Sequence, residues 1–359
     1  MDNRVRFGVV GTGRMASTML RAFRELPNID VTAVCSASPE RAAAFAQRFG
    51  IESFYGDLTQ FLHHDAIDAV YVANHNVDHP LTAIAALNAG KAVLCEKPFA
   101  VNGEQGAAVL EAARANKVLF MEAIWTPFLP AYRRLSELVR SGSFGRATHL
   151  RFDFGYPASP AQNPSLFAPS GGGVLLDRAG YGISFALNTL GPVKWVETAL
   201  SLNEDGVDIG ASLQLTHRDG GQSQIGVSLR SLLANSATVG CTAGMIGLSA
   251  PTIGAEGVFW QRAGSPNTAG NSLRSTPSLT ENLKRHSLIR RIKAVRSRPK
   301  TERHPYGTNP YVAQVRHFTE LMRAGSVESG VNTLDHSFAI LRIMDAARNA
   351  GSNGRQRGD

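Results

Sequence analysis

Over the first 120 residues, short runs of apolar and β-branched residues alternate with segments whose apolar positions recur at helical spacing. This alternation predicts strands followed by helices of about three turns. The predicted strands are residues 4–10, 30–35, 67–72, 91–95 and 118–121, and the predicted helices are residues 15–26, 39–49, 80–88 and 104–115. Short strands joined by helices form parallel sheets with right-handed crossovers. The pattern therefore predicts an α/β Rossmann domain, with helices on both faces of a parallel sheet.

A different pattern begins after residue 122. A helix is predicted at residues 131–141, and another at residues 173–190 interrupts a series of short strands with glycine-bearing turns. The predicted strands are residues 147–154, 193–200, 209–216, 223–229, 237–241, 245–249 and 257–260. Consecutive strands with short turns favour antiparallel pairing. The second half is therefore predicted to be an α+β domain with a mostly antiparallel, open sheet.

Two further helices, at residues 311–324 and 334–350, are predicted to close the chain. A length of 359 residues is sufficient for two hydrophobic cores. With a boundary near residues 122–127, the predicted domains are residues 1–122 and 123–351. A disordered tail is predicted at residues 352–359.

Composition is that of a globular protein, with 43% hydrophobic and 18% charged residues. No apolar stretch approaches the ~20 residues that a membrane-spanning helix needs. The three cysteines, Cys35, Cys95 and Cys241, are odd in number and far apart, which fits a reducing compartment better than a disulfide framework. A cytoplasmic location is predicted.

The formal charge of +8 comes from one segment. Residues 284–303 contain nine Lys/Arg and one acid, Glu302; subtracting them from totals of 37 and 29 leaves 28 basic and 28 acidic residues. The rest of the chain is neutral, so no nucleic-acid partner is expected. Apolar residues recur at helical spacing between residues 283 and 295, which leaves two interpretations of this basic insertion. We favour a solvated surface loop over an amphipathic segment that associates with an anionic membrane or partner.

The turn between the first predicted strand and helix reads Gly11-Thr12-Gly13-Arg14-Met15-Ala16. Its Gly-x-Gly-x-x-Ala spacing is informative because it lies in a strand–helix–strand unit. Gly11 permits a tight turn, Gly13 allows the backbone to approach a pyrophosphate, and Ala16 is small enough for close helix packing. Free N–H groups at a helix N-terminus attract phosphates. Residues 11–15 are therefore predicted to bind a dinucleotide.

The end of the second predicted strand indicates which dinucleotide is bound. NAD-binding domains usually carry an Asp or Glu there to hold the ribose hydroxyls. Here the strand ends in Cys35-Ser36-Ala37-Ser38, without an acid. The side chains available to contact a 2′-phosphate are Ser36, Ser38, Arg14 and Arg41. The sequence predicts NADP(H) as the preferred cofactor, with NAD(H) as the alternative.

The strand at residues 91–95 runs into Glu96-Lys97-Pro98 at the carboxyl end of the sheet, where Rossmann ligands bind. This position places Glu96 and Lys97 beside the nicotinamide and makes a cis bond before Pro98 a candidate. Together with the glycine loop and the late antiparallel sheet, the triplet resembles the glucose–fructose oxidoreductase/inositol dehydrogenase (Gfo/Idh/MocA) family over nearly the whole chain. Residues 121–125 and 171–186 look most like the dihydrodiol dehydrogenase and xylose dehydrogenase branch.

The resemblance implies hydride transfer between a secondary alcohol of a sugar, polyol or trans-diol and NADP. It implies that Lys97 binds the substrate hydroxyl and assists proton transfer. Asp177 and Tyr181 match the family's acid and the Tyr/His four positions later, a spacing that puts both on one helix face. We expect Tyr181 to be the base in alcohol oxidation, with the Lys97 ammonium lowering its pKa from about 10 towards neutrality. Asp177 is expected to orient the substrate or hold the lysine.

The resemblance also implies a substrate pocket and an assembly. The pocket residues that match the dihydrodiol branch are His79, Trp125 and Phe154. A homodimer or higher homo-oligomer is implied, with contacts through the outer face of the second sheet.

One departure from the family motif suggests an alternative function. The family pattern is Asp-x-Gly-x-Tyr/His, whereas residues 177–181 read Asp-Arg-Ala-Gly-Tyr. The Ala179 methyl is expected to crowd the nicotinamide or the substrate, so a non-catalytic dinucleotide-binding sensor or scaffold is the alternative. A metal enzyme is not favoured: His75 and His79 are four apart, but Pro80 follows and no further ligand completes the set.

Overall fold

The computed structural model describes residues 4–263 and 299–353. Its α-helices are α1 (Arg14–Arg24), α2 (Pro39–Phe49), α3 (Leu58–Leu62), α4 (His79–Asn88), α5 (Gly103–Asn116), α6 (Pro130–Arg140), α7 (Gly180–Leu190), α8 (Val312–Arg323) and α9 (Leu334–Asn353). Single helical turns of other types occur at Thr126–Phe128, Pro164–Phe167 and Leu175–Ala179. In the described part of the chain, no helix is both long and apolar enough to cross a membrane.

The first sheet is parallel throughout, as predicted. Its strands are β1 (Val5–Val10), β2 (Ile29–Cys35), β3 (Ser53–Tyr55), β4 (Ala69–Val72), β5 (Ala92–Cys95) and β6 (Phe120–Glu122). The strand order is β3-β2-β1-β4-β5-β6, so the direction of winding reverses between β1 and β4. Ligands of open α/β sheets bind at the carboxyl ends of the strands beside such a reversal. The glycine loop follows β1, and the Glu-Lys-Pro triplet follows β5.

One core of this sheet is aromatic. Phe7 of β1 stacks on Phe23 of α1, with ring centroids 4.5 Å apart, and Phe23 meets Tyr71 edge-on at 5.7 Å. Phe318 of α8 lies 5.8 Å from Phe7, so a helix near the end of the chain covers the first sheet. These side chains are fully buried, and burial of each stabilises the fold by on the order of 2 kcal/mol.

The second sheet has eight strands and is antiparallel except for one pair, β7 with β10. The strands are β7 (Ala147–Gly155), β8 (Val193–Leu202), β9 (Asp208–His217), β10 (Gln222–Ser228), β11 (Ala237–Cys241), β12 (Gly244–Leu248), β13 (Gly257–Arg262) and β14 (Lys300–Arg303). Their order is β14-β13-β12-β11-β7-β10-β9-β8. Along β9, buried Leu213 and Leu215 alternate with exposed Ser212 and half-buried Gln214. One face therefore packs on helices and the other stays open, which confirms the predicted α+β fold class.

The structure adds two short elements to those predicted and changes the bounds of others. The short strand β3 and helix α3 were not predicted, since three and five residues are too few for a periodic pattern. The last four residues of the predicted basic insertion at 284–303 form β14, paired with β13, rather than a loop. Residues 264–298, including the amphipathic pattern at 283–295, lie outside the described residues. Helix α9 reaches Asn353, two residues into the predicted tail, and residues 354–359 also lie outside the described part.

The predicted helix at residues 173–190 begins two residues later, with a π-helical turn over Leu175–Ala179. Gly173 has a φ of +99°, which is not helical. The carboxylate of Asp208, from β9, accepts a hydrogen bond from Leu175 N at 2.7 Å and so caps the helical segment. Asp177, in this turn, lies at the carboxyl end of the first sheet, where it contacts Lys97.

Candidate active site

The loop between β1 and α1 has the geometry of an anion cradle. Gly11 has a φ of +112°, and a Cβ there would lie 2.3 Å from the Ala73 carbonyl oxygen, so only glycine fits. Gly13 is the N-cap of α1 with no side-chain capping bond, and a Cβ there would meet nothing within 4 Å. The protein itself therefore does not require glycine at residue 13. An approaching phosphate does, which fits the predicted dinucleotide.

The residues at the end of β2 form a separate group. Ser36 is buried, whereas Arg41 is exposed on α2. Ser38 caps α2, because its hydroxyl accepts a hydrogen bond from Arg41 N at 3.2 Å and donates one to Glu40 at 2.7 Å. Glu40 therefore places an acidic side chain beside this group, which was not predicted. These residues do not line the cleft described next, whereas Arg14 does.

A cleft of about 1020 Å³ opens at the carboxyl ends of the first sheet, below the loop at residues 157–171 of the second half. This volume lies at the upper end of the range for small-molecule sites. Nine predicted site residues line it: Arg14, Met15, His79, Glu96, Lys97, Trp125, Phe154, Asp177 and Tyr181. The predicted residues outside its lining are Gly11, Thr12, Gly13, Ser36, Ser38 and Arg41.

Lys97 lies between Asp177 and Tyr181. Its Nζ donates hydrogen bonds to the Asp177 carboxylate at 3.0 Å and to the Asp177 carbonyl oxygen at 2.6 Å. The same ammonium sits 5.2 Å from the centre of the Tyr181 ring. Burial lowers the pKa of Lys97, but the charge and hydrogen bond of Asp177, together with Tyr181 and Glu96, outweigh burial, and the net shift is upward. Burial raises the pKa of Asp177, and the two cations Lys97 and Arg178 bring it below its ordinary value. Both groups are charged at neutral pH.

Glu96 is buried beneath the lysine. The Tyr71 hydroxyl donates a hydrogen bond to its carboxylate at 2.5 Å. Burial raises the pKa of Glu96, against the lowering effects of Tyr71 and Lys97. The peptide bond between Lys97 and Pro98 is cis, which confirms the candidate cis bond at this position.

Tyr181 is enclosed by aromatic side chains. Trp125 Nε1 donates a hydrogen bond to the Tyr181 hydroxyl at 3.2 Å, and Phe154 packs edge-on against the ring at 6.0 Å. Tyr311, which was not predicted, packs against Trp125 with the rings tilted and their centroids 4.9 Å apart, and it also lines the cleft. The predicted lowering of the Tyr181 pKa is wrong. Desolvation by these neighbours raises the pKa more than the Lys97 ammonium lowers it.

His79 is fully buried at the start of α4. Its Nδ1 hydrogen-bonds the Pro98 carbonyl at 2.8 Å, and Nε2 has no partner among the described residues. Burial lowers the pKa of His79, so the ring is neutral at pH 7. With Nδ1 donating to the carbonyl, Nε2 is the unprotonated nitrogen, and it is buried.

The π-helical turn determines which side chains of the altered motif at residues 177–181 line the cleft. Asp177 and Tyr181 both line the cleft, as their spacing predicts. Ala179 does not: it is fully buried in the hydrophobic core, so the prediction that its methyl crowds the cofactor or substrate is wrong. A five-residue π-turn rotates the intervening side chains relative to an α-helix. Arg178 was missed as a site residue, although it is buried in the cleft wall.

The histidines do not assemble into a metal site. Across residues 4–263 and 299–353, no group of three or more His, Cys, Asp or Glu side chains is placed to hold a metal ion. His63 and His64 instead hydrogen-bond the Thr59 carbonyl and the Tyr55 hydroxyl.

A Rossmann sheet, a glycine loop suited to phosphate and a buried lysine–carboxylate–tyrosine group define a nicotinamide-dependent oxidoreductase. Comparison with known protein families supports the same class of enzyme. Residues 5–124 match the model described as "Oxidoreductase family, NAD-binding Rossmann fold", and residues 132–247 match the "GFO/IDH/MocA C-terminal domain". The chain belongs to the Gfo/Idh/MocA family and is an NAD(P)-dependent oxidoreductase.

Two curated relatives fall in the expected branch. Trans-1,2-dihydrobenzene-1,2-diol dehydrogenase of Mus musculus is 33% identical over 245 residues, covering 67% of this chain and 73% of the relative. The scyllo-inositol 2-dehydrogenase (NADP(+)) IolU of Bacillus subtilis (strain 168) is 35% identical over 210 residues, covering 56% and 64%. Among solved structures, levoglucosan dehydrogenase in complex with NADH and L-sorbose superimposes with a TM-score of 0.82 at 20% identity, covering 98% of this chain and 97% of that one. At that identity the likeness concerns the fold.

Proposed function

We propose that this protein is an NADP-dependent dehydrogenase that transfers hydride between nicotinamide and a secondary alcohol of a sugar, a polyol or a trans-diol. The observation that carries the proposal is the position of Lys97. Its ammonium contacts Asp177 and Tyr181 in the cleft that Arg14 and Met15, at the start of α1, also line. A cation, a fixed carboxylate and a phenol at the carboxyl end of a Rossmann sheet are the groups that alcohol–carbonyl proton transfer requires.

In this proposal the cofactor phosphates lie on the N-terminus of α1, against the backbone of Gly11, Thr12, Gly13 and Met15, with Arg14 adding positive charge. The adenosine 2′-phosphate lies at the end of β2, where Ser36 and Arg41 contact it and Ser38 caps α2. The absence of an acid in the strand's last residues favours NADP over NAD. The Bacillus relative is named for NADP(+), which supports the same preference.

The residues of the cleft divide the chemistry among them. Bound NADP supplies the hydride acceptor, beside Glu96 and Lys97. Lys97 binds the oxygen of the reacting hydroxyl, and Asp177 holds the ammonium in place. Tyr181 exchanges the hydroxyl proton, with its own oxygen positioned by Trp125. Because burial keeps Tyr181 protonated at neutral pH, carbonyl reduction is supported at pH 7 and alcohol oxidation at higher pH.

The substrate class is supported by the names of the relatives and by the cleft wall. A dihydrobenzenediol and scyllo-inositol both carry adjacent secondary hydroxyls. The pocket combines apolar Trp125 and Phe154 with the imidazole of His79. Amide side chains complete the wall: Asn74, Asn76, Gln162 and Asn163. Such a lining suits a small, hydroxylated ring.

The altered motif does not favour the sensor or scaffold alternative, since Ala179 lies in the core rather than in the cleft. The basic insertion, which also fits that alternative, lies largely outside the described residues. Two expectations remain part of the proposal. The protein forms homodimers or higher oligomers through the open face of the second sheet, so sedimentation as a monomer at micromolar concentration would contradict this expectation.

The protein works in the cytoplasm, where its free cysteines Cys35, Cys95 and Cys241 stay reduced. Localisation of a tagged chain to another compartment would refute this expectation.

Lys97→Met tests the assignment of the cleft. Methionine keeps the length of the side chain but removes the ammonium that binds the hydroxyl. We expect turnover to fall by about 100-fold or more, with NADPH binding unchanged, because the phosphates lie on α1. The measurements are steady-state turnover and NADPH fluorescence titration. Turnover like that of the wild type would remove Lys97 from the mechanism, and loss of NADPH binding would show a wider structural role.

A further inference from the structure

Arg178 is an arginine buried in the wall of the active-site cleft. Only 7% of its side chain is exposed. It follows Asp177 in the π-helical turn, and its guanidinium lies 5.2 Å from the centre of the Phe154 ring. Burial of an arginine is costly unless its donors are satisfied, so each nitrogen of Arg178 should have a partner.

Two of its three nitrogens have protein partners. Nη1 donates to the backbone carbonyls of Tyr156, at 2.8 Å, and Ser228. Nε donates to the Asp177 carboxylate at 3.4 Å. These contacts clamp the ends of two neighbouring strands, β7 and β10, and account for a structural role. They leave Nη2 without a protein acceptor among the described residues, on a side chain that lines the cleft.

Lys97 and Arg178 share one carboxylate. The ammonium of Lys97 binds Asp177 Oδ1, and the guanidinium of Arg178 approaches Oδ2. Two cations therefore face one anion at the point where the reacting hydroxyl is proposed to bind. The other ionisable residues in the cleft lining are Arg14, His75, Asp78, His79, Glu96, Tyr181 and Tyr311. Of these, Glu96 is engaged by Tyr71 below the lysine. The guanidinium is also held rigidly by its ring and carbonyl contacts, so it is preorganised for a ligand.

We propose that Arg178 recognises an anionic group on the substrate, through Nη2, so that the enzyme prefers an acidic sugar or polyol to a neutral one. This inference rests on the proposed function and specifies its substrate class. A carboxylate is the group we expect, since it accepts charge-assisted hydrogen bonds from arginine and is small enough to lie beside Asp177. Because Asp177 bridges both cations, the anion and the reacting hydroxyl belong to the same small molecule.

The test compares three probes that share one ring. D-glucose is neutral, D-glucuronate carries a carboxylate at C6, and D-glucose 6-phosphate carries a phosphate there. Binding of each to the NADPH-loaded protein is measured by calorimetry. We expect the wild type to bind an anionic probe about tenfold more tightly than glucose or better, the usual scale for a charge-assisted hydrogen bond. Tighter binding of the glucuronate identifies a carboxylate, and tighter binding of the phosphate identifies a phosphoryl group.

Arg178→Gln removes the charge and keeps one donor for the strand carbonyls. It should bind all three probes within about threefold of one another, as expected when only weak, screened charge effects remain. Arg178→Lys retains the charge and should keep part of the preference for an anionic probe. This variant keeps the proposal testable if Arg178→Gln does not fold. Arg218→Gln is the matched control, because Arg218 is exposed in the turn at the opposite end of β10 and should leave the preference intact.

A purely structural role of Arg178 would weaken the binding of all three probes alike and leave their ratio unchanged. That result overturns the proposal. So does a wild-type protein that binds neither anionic probe more tightly than glucose, or that binds none of the three probes. Failure of the proposed function would be recognised separately, because NADPH itself would then fail to bind, or neither neutral nor acidic sugars and diols would show hydride transfer.

Discussion

Tyr181 shows how strongly the surroundings of one side chain determine its chemistry. Its hydroxyl accepts a hydrogen bond from Trp125 and its ring faces the Lys97 ammonium. Desolvation raises the pKa, the positive charge of Lys97 lowers it, and the negative charges of Glu96 and Asp177 raise it again. The phenol therefore stays protonated at neutral pH and is a proton donor there. As a base, it must first lose its proton.

This protonation state predicts opposite pH profiles for the two directions of reaction. Oxidation needs the phenolate, so its rate should rise about tenfold per pH unit until the pH reaches the raised pKa of Tyr181. Reduction needs the phenol and should be independent of pH from about 6 to 9. Lys97 stays charged throughout, since its pKa is raised as well. Initial rates in both directions across this range measure the profiles.

Tyr181→Phe is the control for the pH profiles, because it should remove the slope of the oxidation profile along with most of the turnover. An oxidation rate in the wild type that levels off below pH 8 would mean that the phenol ionises near neutrality, and would contradict the effect of burial argued here.

Single residues were predictable where a motif fixes them. Lys97, Asp177 and Tyr181 were found from the family resemblance, and the structure places them in one cleft. Arg178 was missed, because a charged residue within a helical run is expected at the surface. The predicted direction of the Tyr181 pKa shift was wrong. Desolvation raises this pKa, and desolvation depends on packing from distant parts of the chain, including Tyr311.

At the scale of elements, the β1–α1 loop supports the account most directly. Gly11 is required by the backbone, whereas Gly13 is required by no protein contact. We expect Gly13→Val to leave the free energy of unfolding nearly unchanged but to weaken NADPH binding by at least about tenfold, because the side chain occupies the space of the pyrophosphate. Urea denaturation and fluorescence titration measure the two effects.

Gly330→Val is the matched control for the loop. Gly330 also has open space around a Cβ and no positive φ, and it does not line the cleft. It should change neither stability nor NADPH binding. Unimpaired NADPH binding by Gly13→Val would show that the phosphates lie elsewhere.

Regular elements of ten or more residues were largely predictable, because periodicity is visible over that length. The π-helical turn at Leu175–Ala179 was not, since a single turn gives no measurable period. The strand β14 was not predicted because its residues belong to a basic run. Lys300 and Arg303 nevertheless pair with β13, which is distant in sequence. Its place in the sheet comes from tertiary pairing rather than from local propensity.

At the scale of the whole molecule, the last two helices join the two sheets. Helix α8 covers the first sheet through Val315 and Phe318. Helix α9 packs on α7 and β8 of the second half and on α5 of the first, and Asp345 accepts a hydrogen bond from Gly103 N at 2.7 Å. The predicted division at residue 122 describes the order of strands along the chain. The cleft depends on both halves, since Lys97 comes from the first and Asp177 from the second.

The central claim is hydride transfer to NADP from a hydroxylated ring, and it is tested by the absorbance of reduced nicotinamide. Purified protein is given NADP⁺ or NAD⁺ with a panel of aldoses, uronates, inositols and trans-diols, with Lys97→Met as the blank. We predict turnover of at least one member, faster with NADP⁺ than with NAD⁺ and abolished in the variant. No turnover across the panel, despite tight NADPH binding, would contradict the proposed substrate class, and a preference for NAD⁺ would contradict the proposed cofactor.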